Sequence, residues 1–442
     1  MVKSHIEESL GANPGDAALN PADSVAMGVQ SARAPRFLTS RRGRAFRALA
    51  HRPFRLLFSA FLINQTGFWI SHISLQGLMV ELTGNDPFQL GLLFFALFIP
   101  AFVLAPVAGV AADRFDRKRI MLVCYGAVAV LMASLVVMTA AEAMRPLLTL
   151  ALSLLLGTAF AFSGPASFAV AANAVPGEDL SSAVSLQSAS NNLTRVFGPA
   201  LAAPIVAASR FEIAFGIFCV AAVIAAILTS RMQIAAYVPS DEEGGIFARL
   251  HAGFAHARER RPALPALVTV ASLSFFGVSH VAILPVYAEN VFGRSELFAW
   301  IVAASGVGAL VGALATGYEK QATLRSSALR MIVYGIALGL FAATERVWLA
   351  LLLQVAVGYT YFAVMTSLQT LIQQVVDEDK RGRVMSLFQV AWAGLVPFGG
   401  FGMGAVANSF GVTATLYGAA AACTSIAAVI ALGAPGWSRQ RS

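Results

Sequence analysis

Hydrophobic and polar positions in this chain alternate on a long scale: apolar runs of a helix's length, separated by a few polar residues. The runs lie near 56–80, 89–112, 120–141, 147–171, 183–208, 213–230, 264–288, 297–318, 327–343, 347–374, 384–408 and 412–433. Each is close to the roughly 20 apolar residues that a helix needs to cross a bilayer. The pattern predicts an all-α membrane protein with twelve transmembrane helices. A longer polar stretch over 231–263, with Asp241, Glu242, Glu243, Arg258, Arg260 and Arg261, follows the sixth run. The expected organisation is therefore a disordered basic tail over 1–50, a six-helix bundle over 51–230, and a linker over 231–263. A second six-helix bundle over 264–435 and a short tail over 436–442 complete it.

Charge gives these spans a direction. All of the 31 Lys and Arg except Arg145, Arg195, Arg210, Arg294 and Arg346 fall before the first span, in every second connection, or after the last. Positive loops stay on the cytoplasmic side, so both termini are expected there, in a cell inner membrane. In the tail, Arg41, Arg42, Arg44 and Arg47 alternate with Phe46 and Leu49, which suits a basic turn against an anionic leaflet.

Composition narrows the function. Of 442 residues, 57% are hydrophobic and 12% charged, against about a quarter charged in soluble proteins. No soluble domain remains for nucleic acid, despite a net charge of +8. Cys124, Cys219 and Cys423 show neither disulfide nor metal-ligand spacing, so no metal and no cofactor are expected. No nucleophile, base and orienting group can be assembled, which argues against an enzyme.

The two halves echo each other. Ser71-His72 in the first span returns as Ser279-His280 in the seventh, and Glu81 returns as Glu289. Ser185-Leu186 with Phe197-Gly198 returns as Ser386-Leu387 with Phe398-Gly399. Such repeats accompany a substrate cavity at mid-membrane between the halves.

Ionisable residues inside the bilayer are costly and so are functional candidates. His72 and His280 occupy equivalent places and titrate near neutrality when unperturbed, which suits proton coupling or substrate binding. Arg195 stays charged and has no deep carboxylate to meet, leaving an anionic substrate group or backbone carbonyls. Gln187, Asn191 and Asn192 stand around it at helical spacings. Gln65 in the first span, Tyr361 and Gln369 in the tenth and Trp392 in the eleventh supply an aromatic and amide lining for an organic molecule. Gly198-Pro199 is expected to kink or tightly pack the fifth span.

Between the second and third spans stands Gly109-Val-Ala-Ala-Asp113-Arg114-Phe-Asp116-Arg117-Lys118-Arg119. This stretch resembles the loop signature of the major facilitator superfamily. The chain is further similar to its branch of enterobactin exporters and macrolide efflux proteins, through His51-Arg52-Pro53-Phe54-Arg55-Leu56, Arg195-x-x-Gly198-Pro199 and Arg381-Gly382-Arg383-Val384-Met385. It departs from many relatives in having Ala202-Ala203 after that Gly-Pro, Phe68 after Gly67, and no arginine in the fourth span.

The resemblance implies the major facilitator fold: two pseudo-symmetric six-helix bundles that work as a monomer. It also implies a latch in which Gly109 permits close packing and Asp113 meets Arg381 or Arg383, with a weakened copy at Glu319-Lys320. The function it implies is proton-driven export of a small organic molecule, a siderophore, drug or metabolite, by alternating access. Uptake of a metabolite, flipping of a lysolipid, and a non-transporting sensor or assembly role are the other readings.

Overall fold

The computed structural model describes residues 43–233, 254, 256–258, 262–316, 322–378 and 380–438. Side chains of 43–45, Asp113, Ala172 and 435–438 are outside that description. So are the tail up to 42, most of the 231–263 linker, and Glu319-Lys320.

Among the described residues there is no strand. The long helices are α1 (Arg52–Thr83), α2 (Pro87–Val103, continued after a bend as Ala105–Arg114), α3 (Arg117–Ala140), α4 (Pro146–Asn173), α5 (Leu180–Ala207) and α6 (Phe211–Ser230). They are followed by α7 (Ala263–Phe292), α8 (Leu297–Thr316), α9 (Leu324–Ala343), α10 (Val347–Val375), α11 (Arg381–Phe410) and α12 (Val412–Ser438). Local chemistry sets their ends. Asp86 caps α2, accepting from Phe88 N and Gln89 N ahead of Pro87, and Asp116 caps α3 through Lys118 N. Such caps satisfy orphan donors of the first turn. Gly84 after α1 and Gly293 after α7 both take positive φ, 64° and 65°, the left-handed C-cap that glycine adopts without strain.

Among the described residues nine helices are long and apolar enough to cross a membrane, or ten with the α2 pair, bent by 48° between Val103 and Ala105. The bend sits between Pro100 and Pro106, where the ladder loses donors. The expectation of twelve spans meets a difference at α1 and α5. Both are long enough, at 32 and 28 residues, yet neither reaches the apolarity of a span. The reason is physical: α1 carries Asn64, Gln65, His72 and Gln76, and α5 carries Gln187, Asn191, Asn192 and Arg195.

Helix pairings repeat with a shift of six. α1 packs on α5, α2 on α4, and α3 on α4 and α6; likewise α7 packs on α11, α8 on α10, and α9 on α10 and α12. The two sets meet through α2 with α11 and α5 with α8, and that shift exchanges these two contacts. Glycine lets the helices approach. Gly91 lies against the Gly400 carbonyl and Gly404 Cα, and Gly308 and Gly312 lie against the backbone of Val355 and Tyr359.

Residues 43–50 correct the tail expectation. Gly43–Ala50 is a 3-10 helix, with Ala48 fully buried. Ala48 N donates to Ser182 Oγ at 3.1 Å. Asp179, buried, takes His51 Nε2 at 2.9 Å and Arg47 Nε at 3.2 Å. The segment before α1 is therefore tied to the start of α5.

Candidate functional site

α7 and α11 are not regular. α7 passes through a π turn over Leu273–Gly277 and a 3-10 turn over Val278–Ile283, and α11 through a π turn over Val390–Gly394. Such turns cluster at functional sites, because they re-aim side chains and free backbone groups. Here they present Phe275 and Phe276, in edge contact at 4.9 Å, and Trp392. The Trp392 indole donates to Tyr361 Oη at 2.9 Å, joining α11 to α10.

Beside Tyr361 lies Arg195 of α5. Its guanidinium carbon is 4.7 Å from the centre of the Phe362 ring and 5.5 Å from that of Trp69. Rings from opposite sets thus hold one cation, α1 giving Trp69 and α10 giving Phe362. Cation–π attraction offsets part of the cost of desolvation, but it fills none of the five donors. Among the described residues no carboxylate pairs with Arg195, and its Nε is buried without a partner. The backbone at Arg195 and Val196 is pressed against Gly306 of α8. The cation therefore stands where the two sets meet.

Of the other expected site residues, Gln187 is 1% exposed and neither end of its amide has a partner. It lies two helical turns from Arg195 on α5. Gln65 is half-buried, one turn before Trp69. Asn192 donates to Ser188 O of its own helix at 3.0 Å. Gln369 is exposed, two turns beyond Phe362. Gly198 and Pro199 are buried, and Gly198 packs on the Trp69 side chain. α5 runs on as one helix through Pro199, so this pair packs the helix rather than breaking it.

The two histidines are held differently. Gln76 Nε2 donates to His72 Nε2 at 3.1 Å, while His72 Nδ1 has no partner. Its ring stacks on Phe68 at 5.8 Å and meets Phe98 at 5.5 Å. His280 Nδ1 donates to Gly277 O at 2.7 Å, and its Nε2 takes Gln354 Nε2 at 3.4 Å. Each ring is thus engaged within its own set, and among the described residues no contact joins them.

In the charged turn, Arg117 Nε donates to Ala112 O at 3.0 Å, and Lys118 Nζ holds Ser230 O and Met232 O at 2.9 and 2.6 Å. Arg114 and Arg383 are exposed. The Asp113 side chain, on which the latch expectation rests, is outside the description. At Gly109 the close packing expected is not found: a Cβ there would meet nothing within 4 Å. In this structure α2 approaches α11 at Gly91, near its other end.

Sequence reasoning does not single out Trp69 and Phe362. Their signal was spacing: Trp69 is one turn after Gln65 and one turn before His72, and Phe362 follows Tyr361. Aromatic residues are so common in apolar helices that spacing alone does not separate these from packing.

Two repeated helical sets around a buried polar centre define a multi-pass membrane transporter, and comparison with known proteins agrees. The family described as transmembrane secretion effector matches residues 44–438. The MFS-type transporter YfiS of Bacillus subtilis is 27% identical over 81% of this chain and 87% of its own. The staphyloferrin A transporter of Staphylococcus aureus is 23% identical over 82% and 91%. Macrolide efflux protein A of Enterococcus faecalis is 24% identical over 66% and 92%. Among solved structures, the nucleoside transporter NupG shares the fold with a TM-score of 0.67, at 15% identity, over 87% of this chain and all of that one. The chain belongs to the transmembrane secretion effector family of major facilitator transporters.

Proposed function

We propose that this protein exports a small organic molecule bearing an acidic group, by alternating access, with Arg195 as the binding cation. The observation that carries this reading is the unpaired guanidinium between Trp69 and Phe362, at the seam of the two sets. A charge desolvated without a partner is expensive, and a carboxylate or phosphate reaching it would form charge-assisted, bidentate bonds. The flanking rings favour an organic body over an inorganic ion. Relatives named for a siderophore and for macrolide efflux support export.

The seam is closed at one end. Asn85 Nδ2 donates to Asn290 Oδ1 at 3.2 Å, and Phe88 and Phe95 of α2 meet Phe401 of α11 at 5.6 and 5.7 Å. At the charged-turn end, Val103 and Val107 are exposed. Loop charge supports a cytoplasmic position for that end and for both termini, and on that reading this conformation faces inward. The six-helix bundles over 51–230 and 264–435 are the rocking bodies of a monomer, and the Asp113 loop steadies the outward pose. His72 carries the coupling proton: its Nε2 accepts from Gln76 and is the nitrogen that would take the proton, releasing Gln76, while Nδ1 has no partner to oppose the change.

The test is proton flux in vesicles containing the purified protein and a trapped pH dye, with staphyloferrin A and a macrolide as probes. Flux driven by the acidic probe, and lost in Arg195→Gln, is expected. Flux that persists unchanged in Arg195→Gln would refute the assignment.

A further inference from the structure

Away from the seam, α3 and α4 enclose an elongated groove of about 800 Å³. Its walls are apolar for most of their length, with Val123, Ala127 and Val130 on α3 and Leu155 and Ala159 on α4. Val123 and Val130 are 72% and 67% exposed, on helices apolar enough to span the bilayer, so the groove opens sideways to lipid. Gly126 faces this open space: a Cβ there would meet no atom within 4 Å. Charge appears at one end only, where Asp116 and Arg119 stand at the mouth.

That mouth is electropositive for a specific reason. Of the three consecutive bases, Arg117 and Lys118 are committed to carbonyls of Ala112, Ser230 and Met232. Arg119 has a side chain 85% exposed and a single long contact, 3.7 Å, to Asp116. Asp116 in turn accepts from Lys118 N at 2.9 Å as the cap of α3. The positive end of a 24-residue helix opens at the same place, adding to the attraction for an anion. Arg114, also exposed, precedes it by one turn of chain.

We propose that this groove is a binding site for an anionic phospholipid. The acyl chain lies along Val123, Gly126 and Val130, and the phosphate takes the free donors of Arg119. The match is one of both chemistry and shape: an apolar trough at membrane depth ends in a cation at headgroup level. Substrate leaves and enters through the seam of the two sets, so this site stands apart from transport chemistry. It holds a lipid beside the turn that joins α2 to α3.

The test uses the full chain in vesicles of mixed phosphatidylglycerol and phosphatidylcholine, with Val123→Trp as a fluorescent reporter. One lipid at a time carries brominated acyl chains, which quench an indole on contact, and the unsubstituted protein supplies the background. At equal mole fraction, brominated phosphatidylglycerol should associate about fivefold more strongly than brominated phosphatidylcholine, the effect of one basic residue at an interface. Arg119→Gln should bring the ratio to about one, and Gly126→Phe, which fills the groove, should reduce quenching by both. Excess inorganic phosphate should leave quenching unchanged. Equal quenching by the two lipids, a preference that survives Arg119→Gln, or displacement by phosphate would overturn the assignment.

Discussion

α1 and α7 occupy equivalent places in the repeat, each beginning its set and each ending at a left-handed glycine, yet they are built in opposite ways. α1 runs for 32 residues without a break and spends its apolarity on Asn64, Gln65, His72 and Gln76. α7 stays apolar enough to span but gives up regularity, passing through π and 3-10 turns in the middle. α5 and α11 divide in the same sense: α5 is unbroken and polar, and α11 carries the second π turn. The lesson is a division of labour between copies of one plan. The first set supplies Arg195 and Gln187, with Trp69 as one wall, on unbroken helices, where a cation can be held in place. The second supplies Phe362 from a regular α10 and Phe275, Phe276 and Trp392 from the interrupted α7 and α11.

The sharpest way to break this comparison is at Arg195. Arg195→Gln should weaken binding of an acidic substrate by roughly 100-fold, the scale of losing one partner from a desolvated charge pair, read as KM in vesicle transport. Arg195→Lys should recover only part of it, because one ammonium replaces a planar fork. At the seam, Gly404→Val places side chain where Pro87 O and Gly91 approach. Overpacking there costs about 1–3 kcal/mol, so the closed end should open and a cysteine at position 88 should label at least tenfold faster.

The histidines sharpen the contrast more finely. His280 has both nitrogens engaged, so His280→Ala should lower thermal stability, by about 1–3 kcal/mol for the groups left unpaired, with the pH profile of transport retained. His72 has a single partner, Gln76, which protonation at Nε2 would release, so His72→Ala should flatten the pH profile instead. The reverse outcome would exchange their roles. The smallest effect belongs to Trp392→Phe, which removes one hydrogen bond to Tyr361. A loss of about 1 kcal/mol predicts roughly fivefold weaker substrate binding with little change in fold.

Much of this was legible in the chain before any coordinates. Apolar runs and loop charge mark the helices because the bilayer demands both, and Ser71-His72 with Ser279-His280 marks the repeat. Arg195 was visible because a cation inside an apolar run has few innocent explanations. What surrounds it was not. Trp69 and Phe362 are two aromatics among many, and only their approach to Arg195 from α1 and α10 makes them walls. Gln354, which reaches His280 from another helix, could not be paired from spacing. Nor do residues announce a π turn: Leu273-Ser274-Phe275-Phe276-Gly277 reads as ordinary helix. The segment before α1 reads as a tail for the same reason: Arg47, Ala48 and His51 are held by Asp179 and Ser182, more than a hundred positions away.

The central claim is that the two sets rock about the Arg195 seam, and that the Asn85–Asn290 end is closed in the structure described. Its most direct test is to replace both asparagines with cysteine in a background lacking Cys124, Cys219 and Cys423, and join them with a short bifunctional maleimide. The account predicts that transport stops in the joined protein, while a cysteine at position 369 still labels from the charged-turn side. Full transport with the tether in place would contradict it.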